Sequence, residues 1–301
     1  MPALLQEAPF ASYKLPQDPG ATAHPPAPGV FFPFTTRRNS PGDFAQFLTA
    51  FGVIEDIDTS LNQSLWGSFN DGGYQDFSMQ AHDGAHGAIG PTMAEPRVSS
   101  YDPVFWFFHC NIDRLWLSWQ RRVKAETLTA FKSTITGDTS WLSAPFNALP
   151  PFPATADQTI AFEIAYDRLD LPAHEEAPLE NMSGNVEAVR SFSIRRSSPV
   201  SVRVKDIDRL GIPGSFAVTL LGDGEPIAKR AFFQSQAPRD CENCRDHRLV
   251  NIDFRLDQEQ IFDRKLSVEI EVLYDEETGR RFPLSQAGNP TVNARLLLED
   301  E

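Results

Sequence analysis

Tyr101-Asp102-Pro103-Val104-Phe105-Trp106-Phe107-Phe108-His109-Cys110-Asn111-Ile112-Asp113-Arg114-Leu115-Trp116 opens the clearest helix in the chain. Asp102 is a natural N-cap, because a short carboxylate accepts from the unpaired amides of a first turn. Pro103 falls at the first helical position, where its missing N–H costs nothing. The pattern continues to Lys124, with Arg121 and Arg122 near the end, where cations meet the negative pole of the helix dipole. Phe105, His109, Ile112, Trp116 and Trp119 recur at alternating steps of four and three and form one stripe. His109 therefore points into a core rather than into water.

Upstream, a helical stretch beginning near Phe77 carries His82-Asp83-Gly84-Ala85-His86. Imidazoles four residues apart share one face of an intact helix, at a separation that suits one metal ion. Gly84 and Gly87 weaken that helix, which leaves a chance surface pairing as the bland reading. Imidazole favours zinc, copper, iron or nickel, and a third histidine would complete a site that keeps a position open for chemistry. His109 is the candidate third ligand. A zinc protease needs Glu directly after the first histidine, and that position is Asp83, one methylene shorter. Further upstream, Phe44, Phe47, Leu48 and Phe51 predict a helix from 42–43 onward, with another amphipathic stretch around 57–66. Residues 1–43 are rich in Pro and Gly and predict an extended strap lying on the body of the protein.

Downstream, a Pro-rich segment at 149–153 and a polar run at 173–187 precede a change of period. From Ser191 apolar residues alternate, at 192–195, 200–204, 216–220, 250–254 and 266–272, with Gly222-Asp223-Gly224 as a turn. Strands of this kind predict an antiparallel β-sandwich or barrel. The chain thus reads as an α+β multidomain protein: strap 1–43, helical part 44–170, linker 171–190 and β-rich part 191–301.

The 301 residues carry 27 Lys and Arg against 41 Asp and Glu, a net charge of −14. So acidic a chain gains nothing from counterion release, which argues against nucleic acid and anionic membranes as partners. No apolar run approaches the roughly 18 residues a bilayer needs. Met1-Pro2-Ala3-Leu4-Leu5-Gln6-Glu7 has neither a basic nor an apolar leader region, so the default expectation is a cytoplasmic protein. Three cysteines build no disulfide framework, but Cys241-x-x-Cys244-x-x-His247 is a soft cluster. Its residues admit a disulfide, a metal-handling pair or an exposed loop without a role.

Residues 101–116 closely resemble the copper B signature of the tyrosinase, polyphenol oxidase and haemocyanin family: Asp-Pro-x-Phe, then His109, then Asp113 after three more residues. His82 and His86 stand at the expected upstream positions. The resemblance implies that His82, His86 and His109 ligate one copper of a type-3 pair, within part of a helical bundle. It implies that Phe105 helps cover the mouth of the site, and that Asp113 and Arg114 support the ligands or anchor the helix. Thr35-Thr36-Arg37-Arg38-Asn39 resembles the segment joining the two copper halves, and Tyr166-Asp167-Arg168-Leu169 the stretch that closes the catalytic domain. Gly214-Ser215-Phe216, Leu221-Gly222-Asp223 and Cys241-Glu242-Asn243-Cys244 resemble the family's C-terminal β-domain. There a Cys pair can hand copper to the site near a plugging aromatic, for which Phe232 and Phe233 are the local candidates.

Departures bear on function. A type-3 site needs three histidines per copper, yet upstream of His82 only His24 is present, and His174 and His247 lie on the other side. The expectation is a copper B half plus a β-domain, with the copper A half lost or supplied by a partner chain. Where the family often has Asn after the first ligand, with a Glu that orients a water, this chain has Asp83, itself a candidate base. Asp76 and Gln80 are the nearest substitutes for the Glu. The expected activity is oxidation of phenols or o-diphenols by O₂. The alternative is a non-catalytic copper- or oxygen-binding remnant.

Overall fold

The computed structural model describes residues 3–13, 35–67, 72–144, 155–159, 165–169, 199–274 and 281–296. Four helices frame the first half: α1 (Pro41–Ala50), α2 (Val53–Leu61), α3 (Tyr74–Ile89) and α4 (Pro103–Arg122). The expected cap of α4 forms, with Asp102 accepting from the Val104 amide at 3.0 Å. Ser40 caps α1 by accepting from Asp43 N at 3.2 Å, and Pro41 opens it, so the strap expected over 1–43 ends earlier. Residues Ala3–Gln6 of the strap also form a 3-10 turn rather than extended chain. The stretch expected at 57–66 is a helix at Val53–Leu61 instead. Gly52 starts it, at φ +62°, in the left-handed region that glycine enters without strain. The expected strand at 192–195, the linker 171–190 and the Pro-rich 149–153 lie outside the described residues.

The second half is a two-sheet antiparallel sandwich. One sheet has the order β4-β1-β7 (Leu249–Asp257, Pro199–Asp208, Thr291–Leu296), the other β3-β2-β5-β6 (Glu225–Phe232, Phe216–Gly222, Leu266–Val272, Arg281–Phe282). Alternate residues of both sheets face inward: Val200, Val202 and Val204 of β1, Ile252 and Phe254 of β4, Phe216, Val218 and Leu220 of β2, and Val268 and Ile270 of β5. This is the period-2 pattern read from the sequence. The β2–β3 hairpin turns at Asp223 and Gly224, both with positive φ, as a tight hairpin requires. Strands β3, β6 and β7 escaped the alternation test. In β3 the adjacent Lys229 and Arg230 break the alternation, and β6 has two residues.

Helices and sandwich share a core. Strand β2 is buried on both faces: its outward Ala217, paired in register with Ala231 of β3, packs on Phe51, Val53, Ala81, Ala85 and Ala88. The glycines of α3 serve this close approach. A Cβ at Gly84 would stand 2.9 Å from Val53 Cγ2, and one at Gly87 would stand 3.3 Å from Phe51 and 3.4 Å from Leu273. Polar contacts pin the same seam. The Arg230 Nε pairs with Asp56 at 2.6 Å, the Tyr274 hydroxyl donates to Gly87 O at 2.5 Å, and the Asp253 amide donates to Gln80 at 2.7 Å. Helix α3 is therefore held along its length by the sandwich, and it carries the first two histidines.

Candidate metal centre

Three imidazoles meet where α3 and α4 approach each other. His82 and His86, one turn apart on α3, lie with ring centroids 4.5 Å apart, and His109 of α4 is 5.2 Å from the first and 5.3 Å from the second. One ligand atom from each ring fits within a set whose members all lie within 4.8 Å of one another. The helix that Gly84 and Gly87 were expected to weaken is continuous, because packing on the sheet more than repays the glycine propensity cost.

Every Nδ1 of the trio faces a group that can only accept. His82 Nδ1 donates to Asp83 Oδ1 at 2.9 Å, His86 Nδ1 to the Met93 carbonyl at 2.6 Å, and His109 Nδ1 to the Phe105 carbonyl at 2.8 Å. Each acceptor fixes the proton on Nδ1 and leaves the Nε2 lone pair free. The free nitrogens then turn inward. His82 Nε2 and His109 Nε2 stand 3.2 Å apart, and His86 Nε2 is buried with no hydrogen-bond partner among the described residues. Two lone pairs at that distance repel unless a cation lies between them. Metal–nitrogen bonds of roughly 2.0–2.1 Å at a tetrahedral angle would place such nitrogens roughly 3.3 Å apart. The donor set therefore fits a metal ion.

The electrostatics favour the neutral form of His86 and His109. Burial, reinforced by the neighbouring His82, holds His86 well below its ordinary pKa against the pull of the Met93 carbonyl. Burial also lowers His109. Neutral imidazole is the ligating form.

Aromatic rings close the site. Phe233, just past β3, stacks on His86 with centroids 4.0 Å apart and planes at 16°, and its amide donates to Asp83 Oδ2 at 3.0 Å. Phe105 lies 3.9 Å from His109, centroid to centroid. Asp83 thus has one oxygen on a candidate ligand and the other on the backbone of the covering residue. Asp113 accepts from Tyr166, while Arg114 holds Asn111 Oδ1 at 2.9 Å and reaches Arg168 O at 3.4 Å. Both tie the 165–169 segment to α4. Arg38 forks onto Asp102 at 2.5–3.0 Å and donates to Leu5 O at 2.5 Å, fixing the N-terminal turn against the start of α4. Cys241 and Cys244 form a disulfide, and His247, at the end of the same short helix (Glu242–Asp246), donates from Nδ1 to Asn243 O at 3.1 Å and is not part of the three-histidine group. His24 and His174 lie outside the described residues. Met93 carries no sequence signal for its role, because it acts through its backbone carbonyl.

On the outer side of Phe233, a cavity of about 240 Å³ runs between α3 and the sandwich, lined by Met79, His82, Asp83, Arg209, Phe233 and Asn251 among others. On α4, Trp106 is 64% and Phe107 48% exposed, an apolar face beside His109.

Comparison with known proteins agrees with this arrangement. The family model described as the common central domain of tyrosinase matches residues 4–122. A tyrosinase of Aspergillus oryzae is 28% identical over 218 residues, 63% of this chain and 39% of that protein. The chain thus spans well under half of that relative's length. Among solved structures, a functional unit of octopus haemocyanin superposes with a TM-score of 0.59 at 16% identity, covering 98% of this chain and 73% of that one. A mushroom tyrosinase gives 0.55 at 15% identity, covering 94% and 64%.

Proposed function

The chain belongs to the tyrosinase and haemocyanin family, and from that premise we propose that it supplies one half of a two-copper centre that oxidises phenols or o-diphenols with O₂. His82, His86 and His109 hold one copper through Nε2. The second trio comes from sequence beyond these residues or from a partner chain. The carrying observation is the set of inward Nε2 atoms, each made available by an Nδ1 hydrogen bond.

Copper, the metal of this family, would supply O₂ binding and one-electron redox chemistry that none of these side chains provides. The chain's own residues do the rest. Met93 and Phe105 carbonyls and the Asp83 carboxylate orient the rings and set their tautomers. Asp83, expected as a base, is assigned to orientation, because both its oxygens are engaged. Phe105 and Phe233 exclude water from His109 and His86. Asp113 and Arg114 anchor α4. The exposed apolar face at Trp106 and Phe107 is where the missing helices would dock.

Copper analysis with a catechol oxidation assay tests this reading. The expected result is one copper per chain and no oxidation by the chain alone, with oxidation appearing once a segment bearing the second histidine trio is added. Two coppers per chain with unaided oxidation would overturn the half-site reading, and zinc in place of copper would overturn the metal. A second reading, a copper- or oxygen-binding module without turnover, draws on the Phe233 ring lying over His86. Reconstitution with copper but without oxidation would favour it.

A further inference from the structure

Arg209 is 7% exposed and, among the described residues, forms no ion pair with a carboxylate. Its Nε donates to Gln234 Oε1 at 3.0 Å, its Nη2 to Cys244 Sγ at 3.4 Å, and its guanidinium lies 4.9 Å from the Phe232 ring centroid. Burial lowers its pKa, and the charge of Asp83 pushes the other way without contact. A buried cation without an anion is costly. As half of a disulfide, Cys244 Sγ is a weak acceptor and gives little back. As a thiolate it would be a full anion already in place. The two sulfurs also differ in access: Cys244 is 3% exposed, whereas Cys241 is only partly buried.

We propose that Cys241–Cys244 is a redox-active disulfide, open to exchange with a dithiol reductant, and that Arg209 is the fixed counter-charge of the Cys244 thiolate. A reductant thiolate attacks the accessible Cys241 Sγ. The Cys241–Cys244 bond breaks as the mixed disulfide forms, and the electron pair leaves on Cys244 Sγ, beside Arg209. The reductant's second thiol then gives up its proton to solvent and attacks its own sulfur in the mixed disulfide. It departs as a disulfide, and Cys241 leaves as a thiolate that takes a proton from solvent. Two electrons pass from reductant to protein, and the protein disulfide becomes one thiol and one thiolate. Stabilising the leaving thiolate speeds the first step and favours the reduced form. Arg209 also holds Gln234, the residue after Phe233, so the exchange site shares an anchor with the segment that covers His86.

The test is a redox titration of the full chain with dithiothreitol, read by mass after alkylation, for wild type, Arg209→Met and Arg209→Lys. The expected result is reduction of the folded wild type. The exchange constant falls about tenfold in Arg209→Met, a shift of about 30 mV to more negative potential, and is largely kept in Arg209→Lys. Equal constants in folded wild type and Arg209→Met would overturn the proposal. If Arg209→Met does not fold, the wild type alone decides. Reduction that keeps pace with denaturant unfolding would mark the disulfide as structural only and overturn the proposal, and reduction in the native state supports it.

Discussion

Replacing Asp83 by Asn tests how the site is set up. Two donors converge on the carboxylate, His82 Nδ1–H at 2.9 Å and Phe233 N–H at 3.0 Å. Asn offers one acceptor oxygen and an NH₂ that only donates, so it can satisfy one of the two. If its oxygen stays with Phe233, the NH₂ faces His82 Nδ1. The ring must then move its proton to Nε2, and the lone pair aimed toward His109 is lost. If the oxygen stays with His82, the Phe233 amide loses its acceptor and the ring on His86 loosens. Either way one charge-assisted hydrogen bond goes, about 1.5–3 kcal/mol. Loss of such a support costs about 10–100-fold in metal affinity, or about 1.4–2.8 kcal/mol. The assay is an anaerobic competition titration of Cu(I) against a chelator of known affinity, with a thermal melt of the metal-free chain beside it. Wild-type affinity in Asp83→Asn, with an unchanged melt, would refute the reasoning.

Further outcomes follow from the same structure. Burial keeps His86 and His109 below their ordinary pKa in the metal-free fold, so the unfolded chain binds protons first. Stability is full above about pH 6.5 and falls as pH drops below it, and a melting series toward mildly acid pH should show a shallower slope in His86→Leu. Asp56→Ala strands the buried Arg230 guanidinium that Asp56 pairs at 2.6 Å and should cost about 3–5 kcal/mol in denaturant unfolding; a loss under about 1 kcal/mol would contradict the pair's role. Gly84→Ala, whose Cβ would come 2.9 Å from Val53 Cγ2, should destabilise by about 1–2 kcal/mol, overpacking outweighing the propensity gain. Gly87→Ala, with contacts of 3.3–3.5 Å, should be closer to neutral by the same measure.

What the sequence conveyed followed local periodicity. The cap and stripe of α4 could be read because Asp102, Pro103 and the four-three spacing are local signals. The strands could be read where alternation was clean, as in β1 and β5, and not in β3, where Lys229 and Arg230 interrupt it, or in the two-residue β6. The glycines of α3 misled for a physical reason: propensity counts the entropy they lose, but only the fold reveals that Val53, Phe51 and Leu273 come close enough to need them. The three ligand candidates were legible from spacing and motif. The Met93 carbonyl, the Phe233 amide on Asp83 and the Arg209–Cys244 contact were not, because each joins residues that only tertiary packing brings together.

The central claim is that His82, His86 and His109 present Nε2 to one metal with Nδ1 protonated. Nitrogen NMR of the histidine-labelled chain, loaded anaerobically with Cu(I), tests it most directly. The account predicts three imidazoles with metal-shifted Nε2 and protonated Nδ1; coordination through Nδ1, or histidine signals unchanged by copper, would contradict it.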